Sequence, residues 1–362
     1  MSRYAARRDK LRKLVHKANA DALLVTSYVN VTYLTGFTGD DSYLIVHEDG
    51  ELLVTDPRYT EQLESECPGL PLHVRRPGVK MLEGTVKAIE QVEPERLGVE
   101  AESITVGLRD ELAEKLPKVP LVATKGLVEE LRMIKDKQEL DEIRQAVWQA
   151  EKAFGIIRAM IRPNATERQI ANDLEYQMRC DGAKGCSFTP IVGVGPRAAL
   201  PHGRPTDAKI SDAGFVLIDW GTCNGLYMSD LTRVLVTGQH PPKLEKIYKV
   251  VLEAQEAAID AVRPGKKCEE IDKVARDIIT KAGFGKQFGH GLGHGIGLQI
   301  HENPRFAVGI ETVLEPGMTM TVEPGIYLPG QLGVRIEDDI VVTKSGCEVL
   351  THVPKQWDEV FV

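Results

Sequence analysis

The 362-residue chain is expected to fold as two domains, an α/β domain over residues 1–130 and an α+β domain over residues 131–362 with an internal pseudo-twofold repeat. Three observations carry this expectation. Short apolar runs alternate with helical patterns through the first domain, the chain-order signature of α/β architecture. Two long amphipathic stripes then share one stepping pattern and one terminating dipeptide. Finally, strand-like segments rich in glycine and carboxylates close each half of the second domain.

In the first domain ADALLVTS, SYLIVH, GELLVTD and RLGVE read as strands, with helical segments such as RYTEQLES and VKMLEGTVKAIEQV between them. The basic N-terminus, MSRYAARRDKLRKLVHK, lacks the apolar stretch of a signal peptide. Its Leu11, Leu14 and Val15 sit at helical spacing, which favours a surface helix over a membrane or nucleic-acid arm. The boundary falls near residues 130–137, with no Gly/Ser-rich linker.

In the second domain Leu140, Ile143, Val147, Ala150, Phe154 and Ile157 step by 3, 4, 3, 4 and 3 residues. That is one buried stripe of a long helix, stopped by Pro163. Leu244, Ile247, Val251, Ala254, Ala258 and Ala261 repeat the stepping, and Arg263-Pro264 ends this helix as Arg162-Pro163 ends the first. A new helix follows each stop, TERQIANDLEYQMRCDGA and CEEIDKVARDIITKAGFG, and Thr166 with Gln169 fits a capping box. On the helices alone, a repeat and a coincidence of two ordinary amphipathic helices are equally good readings.

Composition excludes several classes. Lys and Arg number 45 against 53 Asp and Glu, a net charge of −8, and 27% of residues are charged, close to the ~25% of globular proteins. The modest acid excess gives no footprint for nucleic acid, which would call for clustered Lys and Arg over a basic chain. No apolar run approaches the ~18 residues that cross a bilayer. Six cysteines lie scattered without a C-x-x-C pair, the pattern of thiols in a reducing compartment, so a cytoplasmic protein is expected.

The chemistry-bearing residues are concentrated. Three of nine histidines, His290, His294 and His301, fall within FGHGLGHGIGLQIHE, where Gly289, Gly291, Gly293, Gly295 and Gly297 take every second position. A Gly-rich strand marks close approach to the backbone. The spacing is not the G-x-G-x-x-G of nucleotide binding. Asp219 ends an apolar strand and Asp230 begins another, with a Gly-Thr-Cys-Asn-Gly turn between them; Glu323 ends a strand and Glu337 sits in the next. Acids inside apolar strands are costly unless paired or metal-bound. Asp219 lies 57 residues beyond Arg162 and Glu323 lies 60 beyond Arg263, so the repeat superposes the two acid hairpins and converges four carboxylates. One imidazole can join them. Such a set, of about −4 charge, can hold two divalent ions; oxygen-rich ligation favours Mn, with Co, Zn or Fe as alternatives. Two metals ~3.5–4 Å apart can deprotonate a bridging water and stabilise the oxyanion it creates, which points to hydrolysis. H-E-x-x-H, G-x-S-x-G and P-loop strings are absent.

These residues resemble the pita-bread metallopeptidases: methionine aminopeptidase, aminopeptidase P and prolidase (Xaa-Pro dipeptidase). The resemblance runs from VNVTYLTGFTG through IDWGTCNGLYMSDLTR, GHGLGHGIGLQIHE and TVEPGIY to GVRIEDDI. It implies a creatinase-like N-terminal domain followed by a pita-bread catalytic domain. By this resemblance Asp219, Asp230, His294, Glu323 and Glu337 are the dinuclear metal ligands, and a metal-bridging hydroxide attacks the scissile carbonyl. Glu323 would shuttle the proton to the leaving nitrogen, while His202, in ALPHGRPTD, and His301 would hydrogen-bond the substrate or its oxyanion. Arg335 would orient the carboxylates. His290 is read as a supporting or substrate-pocket residue, with a structural imidazole equally open.

Departures from the family pattern are few: Trp220 stands for a usual Phe, Val234 for Thr and Gln299 for Glu, none of them ligands. Methionine aminopeptidases lack a matching N-terminal domain, which leaves prolidase and aminopeptidase P. Arg305 matches the position where prolidases of this type carry an Arg suited to capturing a dipeptide carboxylate, so Xaa-Pro dipeptidase is expected, acting on small peptides with proline second. The alternatives are aminopeptidase P and a non-catalytic binding module. A homodimer is also implied, since a partner's N-terminal domain borders the active site in this family.

Overall fold

A six-stranded sheet organises the first of two units, Met1–Arg132 and Met133–Val362, into which the computed structural model of residues 2–362 divides. In chain order the first unit comprises α1 (Arg3–Lys17), β1 (Ala22–Val25), α2 (Tyr28–Thr35), β2 (Tyr43–His47), β3 (Gly50–Thr55) and α3 (Thr60–Glu66). It continues with β4 (Leu72–Val74), α4 (Met81–Val92), β5 (Leu97–Glu100), α5 (Val106–Lys115), β6 (Leu121–Thr124) and α6 (Leu127–Met133). The sheet order is β4-β3-β2-β1-β5-β6, with β1 antiparallel to β2 and parallel to β5. All four expected strands are present. The edge strands β4 and β6 are too short to show a period of two.

The VNVTYLT stretch of α2 is rich in β-branched residues, which favour strands, yet it is helical. Its ends are held from outside. Glu100 accepts the backbone N–H of Thr26 (2.6 Å) and Ser27 (2.9 Å), and the buried Arg7 and Arg8 donate to the carbonyls of Tyr33 (2.9 Å) and Leu34 (2.7 Å). Side chains thus satisfy polar groups that a short helix leaves open.

The second unit opens with α7 (Lys137–Met160) and α8 (Glu167–Cys180), followed by β7 (Gly185–Cys186), β8 (Ile191–Val194), β9 (Phe215–Trp220), β10 (Thr222–Asn224), β11 (Tyr227–Met228) and β12 (Leu231–Val236). Its other half has α9 (Pro242–Ala261), α10 (Cys268–Lys281), β13 (Gly293–Gly295), β14 (Glu302–Phe306), β15 (Thr319–Val322), β16 (Gly325–Leu328), β17 (Leu332–Arg335), β18 (Asp338–Val342) and β19 (Cys347–Val349). The Thr166–Gln169 capping box is formed. Matched backbone bonds express the repeat. Glu167 N–H reaches Ala208 O and Cys268 N–H reaches Thr312 O; Ile210 N–H reaches Ala165 O and Leu314 N–H reaches Lys266 O.

Four antiparallel sheets result, β11-β10-β7, β16-β17, β12-β9-β8 and β14-β13-β15-β18-β19, the last two bridged at Thr232 and Glu337. Strand β9 is buried on both faces. Phe215 and Leu217 pack with α9 and α10, while Val216, Ile218 and Trp220 pack with α7 and α8. Trp220 stacks on Phe154 at 4.3 Å and donates its indole N–H to Ala150 O at 2.9 Å. Among the described residues no helix is long and apolar enough to cross a membrane.

Three local expectations change. The connection between Asp219 and Asp230 is not one turn but carries the hairpin β10-β11, which pairs with β7. Glu337 lies between β17 and β18, where its backbone bridges to Thr232 and its carbonyl accepts Arg233 Nη1 at 2.6 Å. Of the Gly-rich segment, only Gly293–Gly295 pairs as a strand. The close approach there comes from neighbouring backbone: a Cβ on Gly293 would lie 2.0 Å from Thr321 O, and one on Gly295 2.5 Å from Asn303 O.

Candidate metal centre and active site

Asp219 sits in β9 on the face shared with Phe215 and Leu217, opposite Thr232 of β12 in register. Asp230 immediately precedes β12, His294 is the middle residue of β13, Glu323 follows β15, and Glu337 precedes β18. Strands of two joined sheets, and the residues flanking them, therefore deliver all five. Asp230, His294 and Glu337 each offer one donor atom, all within 4.8 Å of one another. His294 Nε2 is 3.6 Å from Asp230 Oδ2 and 3.4 Å from Glu323 Oε1. Asp219 accepts Arg335 Nη2 on Oδ2, whereas its buried Oδ1 has no hydrogen-bond partner among the described residues.

The electrostatics of the cluster suit a cation. Burial pushes Asp219 above its ordinary range. Burial, reinforced by neighbouring carboxylates, pushes Asp230 and Glu337 well above theirs, and burial takes Glu323 up to about 8. Burial and the nearby His301 push His294 down to about 3, which keeps its ring neutral and able to ligate. An orphaned carboxylate oxygen beside crowded acids and a neutral imidazole is the donor set a divalent cation satisfies.

Hydrogen bonds fix these donors. Thr232 Oγ1 donates to Glu337 Oε2 (2.5 Å), and Arg335 Nε donates to Thr232 Oγ1 (3.1 Å). Arg335 Nη1 donates to the Tyr327 hydroxyl at 2.7 Å. Thr321 Oγ1 donates to Glu323 Oε1 (3.3 Å) while accepting His294 N–H (3.1 Å). Asp339 Oδ2 accepts Asp230 N–H. Sequence reading missed Thr232, Thr321, Tyr327 and Asp339. Threonines carry no signal of their own, but the IEDDI run does: Glu337 and Asp339 share a face, and Asp338 points oppositely to Arg233 (2.7 Å), Lys355 (2.6 Å) and Gln255 (2.7 Å).

All ten candidate residues line one cavity of about 740 Å³. His202, His301 and Arg305 are exposed at its mouth, and the His301 ring lies 4.4 Å from that of His294. Arg305 stands opposite His294 in the β13-β14 pairing, and its guanidinium makes no hydrogen bond or ion pair among the described residues. His290 Nε2 lies 3.1 Å from the Tyr327 hydroxyl, and burial pushes its pKa down to about 4.

More than half of the chain, residues 141–344, matches the profile described as Metallopeptidase family M24. The chain belongs to this family. Residues 7–134 match the Creatinase/Prolidase N-terminal domain. As an M24 metallopeptidase, the chain is an enzyme of a class that uses divalent metals, and the fold is a creatinase-type domain followed by the M24 catalytic domain. It is 39% identical to the uncharacterized peptidase YqhT of Bacillus subtilis, covering 96% of this chain and 98% of that one. It is 36% identical to the Xaa-Pro dipeptidase of Pyrococcus horikoshii, covering 96% and 98%. Among solved structures, the Xaa-Pro dipeptidase from Bacillus anthracis superposes with a TM-score of 0.95 at 38% identity, covering 99% of this chain and 100% of that one. An X-Pro aminopeptidase from Thermotoga maritima superposes at 0.88 with 35% identity, covering 96% and 99%.

Proposed function

We propose that this M24 metallopeptidase is an Xaa-Pro dipeptidase, with Asp219, Asp230, His294, Glu323 and Glu337 holding two divalent ions, manganese favoured. The observation that carries the dipeptidase reading is the unpaired Arg305 guanidinium beside His301 at the mouth of the acid-lined cavity. A dipeptide presents a free carboxylate within reach of the scissile bond, and a guanidinium can grip it with two parallel hydrogen bonds. When bound, the ions polarise a carbonyl and lower the pKa of water. The chain's own groups do the rest. Glu323, bonded through only one oxygen, is the group to carry a proton from water to the leaving imide nitrogen. His202 and His301 donate ring N–H groups to the carbonyl oxygen as it gains charge. Arg335 holds Asp219 and, through Thr232, Glu337 in orientation.

Chelated protein reconstituted with Mn or Co and offered Ala-Pro and Ala-Pro-Pro tests this reading. Hydrolysis of Ala-Pro is expected. Cleavage of the tripeptide alone would make the protein an aminopeptidase P, a reading favoured by the Thermotoga maritima likeness. No hydrolysis of either, with any divalent ion, would leave a binding module. We further infer a homodimer, checked by light scattering of the loaded protein, and a cytoplasmic location, supported by six free thiols.

A further inference from the structure

Two carboxylates with no exposed surface lie outside the metal cluster and take no part in the chemistry above: Glu167 in α8 and Asp272 in α10. Each stands on the second helix of its half, and each grips an arginine. Arg276 donates Nε to Asp272 Oδ2 and Nη2 to Oδ1, both at 2.8 Å. Its remaining reach goes to the histidine segment, with Nη1 on Phe288 O (3.1 Å) and Nη2 on His290 O (2.8 Å). Asp272 Oδ1 also accepts Leu292 N–H at 3.0 Å. Backbone groups of residues 288, 290 and 292 are thus tied to one ion pair, directly beneath the ring that meets Tyr327.

The first half is built alike. Arg197 Nε donates to both oxygens of Glu167 at 2.9 Å, and its Nη2 donates to Arg204 O at 2.7 Å. Glu167 also accepts Val194 N–H (2.9 Å), Thr206 N–H (2.8 Å) and the Thr206 hydroxyl (2.7 Å). Both ends of the segment that carries His202 are drawn onto one carboxylate.

We propose that Asp272–Arg276 and Glu167–Arg197 are positioning pairs, one in each half, which set His290 and His202 in the cavity wall. A buried ion pair is a weak stabiliser, because desolvation offsets its attraction. Its value here is geometric: planar, charge-assisted bonds fix where two loops run. Lysine keeps the charge but cannot bind the carboxylate and a loop carbonyl at once with the planar geometry of Arg276 or Arg197, so Arg→Lys separates geometry from charge.

The proposal rests on the peptidase reading for its kinetic readout. Arg276→Lys and Arg197→Lys are measured with Ala-Pro for kcat and KM, alongside metal content and Tm. Each is also made in a His290→Ala or His202→Ala background respectively. A loss of tenfold or more in kcat/KM is expected for each single variant, with metal content retained. Less than twofold further loss is expected once the matching histidine is gone. An undiminished loss in the histidine-free background, or no loss in the single variant, overturns the proposal for that pair. If Arg276→Lys does not fold, Asp272→Asn, which keeps an acceptor for Leu292 N–H, takes its place. Histidine ring ¹⁵N signals of the metal-free protein give a readout independent of activity: a moved His290 signal in the Arg276 variant supports the proposal and an unmoved one overturns it. A wild-type protein that cleaves no Xaa-Pro peptide would defeat the functional reading alone, since the ring signals still decide the positioning role.

Discussion

Asp339 Oδ2 accepts the backbone N–H of Asp230 at 2.9 Å, so one acid of the IEDD run holds the chain that presents another. Asp339→Ala would orphan this buried donor, a cost of about 1–3 kcal/mol. A lower Tm is expected, together with metal affinity reduced by about 10–100-fold. Asp339→Asn keeps an acceptor oxygen and should retain most of both. Calorimetric metal titration and thermal melts separate the outcomes; unchanged affinity in the alanine variant would confine Asp339 to a structural role.

Metal removal should reverse the pH dependence of stability around neutrality. Glu323 is raised in the folded chain from 4.5 to about 8, so its contribution is fully present below the unfolded value and lost as pH rises through about 8. Asp230 and Glu337 shift in the same direction. His294, depressed from 6.5 to about 3, acts oppositely, but only as pH falls below 6.5. The Tm of the chelated protein is therefore expected to fall between about pH 6.5 and about pH 8. Added Mn should remove that fall and release protons, which melts and titration in two buffers of different ionisation enthalpy would show. A pH-independent Tm in the metal-free protein would contradict this.

Arg305→Ala should raise KM for Ala-Pro by roughly 10–100-fold, the size of a lost charge-assisted pair, with a smaller effect on kcat. Arg305→Lys should recover only part, because an ammonium cannot form the bidentate fork. Equal KM values for wild type and Arg305→Ala would remove Arg305 from substrate binding.

Two glycines of the same segment should behave oppositely. Gly293→Ala forces a methyl group to 2.0 Å from Thr321 O and should part β13 from β15, abolishing metal binding or folding. Gly289 lines the cavity with nothing within 4 Å of its would-be Cβ, so Gly289→Ala should leave Tm within about 2 °C of wild type. Circular dichroism melts of both variants check the contrast.

What was legible in the sequence was whatever repeats or is out of place. Amphipathic stepping marked α7 and α9 because burial imposes a period on a helix. Acids inside or flanking apolar strands marked Asp219, Asp230, Glu323 and Glu337 because such placement is costly without a partner. Illegible were groups whose importance lies in what they touch. Thr232 and Thr321 look like any strand threonine until their hydroxyls meet Glu337 and Glu323. Glu167 and Asp272 look like ordinary helix acids until their arginines arrive. The helix α2 was hidden for a related reason: its β-branched residues argue for a strand, and Glu100, Arg7 and Arg8, distant in sequence, override them.

The alternation of β9 between two cores has a thermodynamic consequence. Its odd residues belong to the packing of one helix pair and its even residues to that of the other, so loosening either pair strips one wall of the strand that carries Asp219. Fraying of one half would therefore not leave the other intact. When the loaded protein is heated without a chelator, metal release should coincide with unfolding of the whole second unit, making ion release a gauge of its cooperativity.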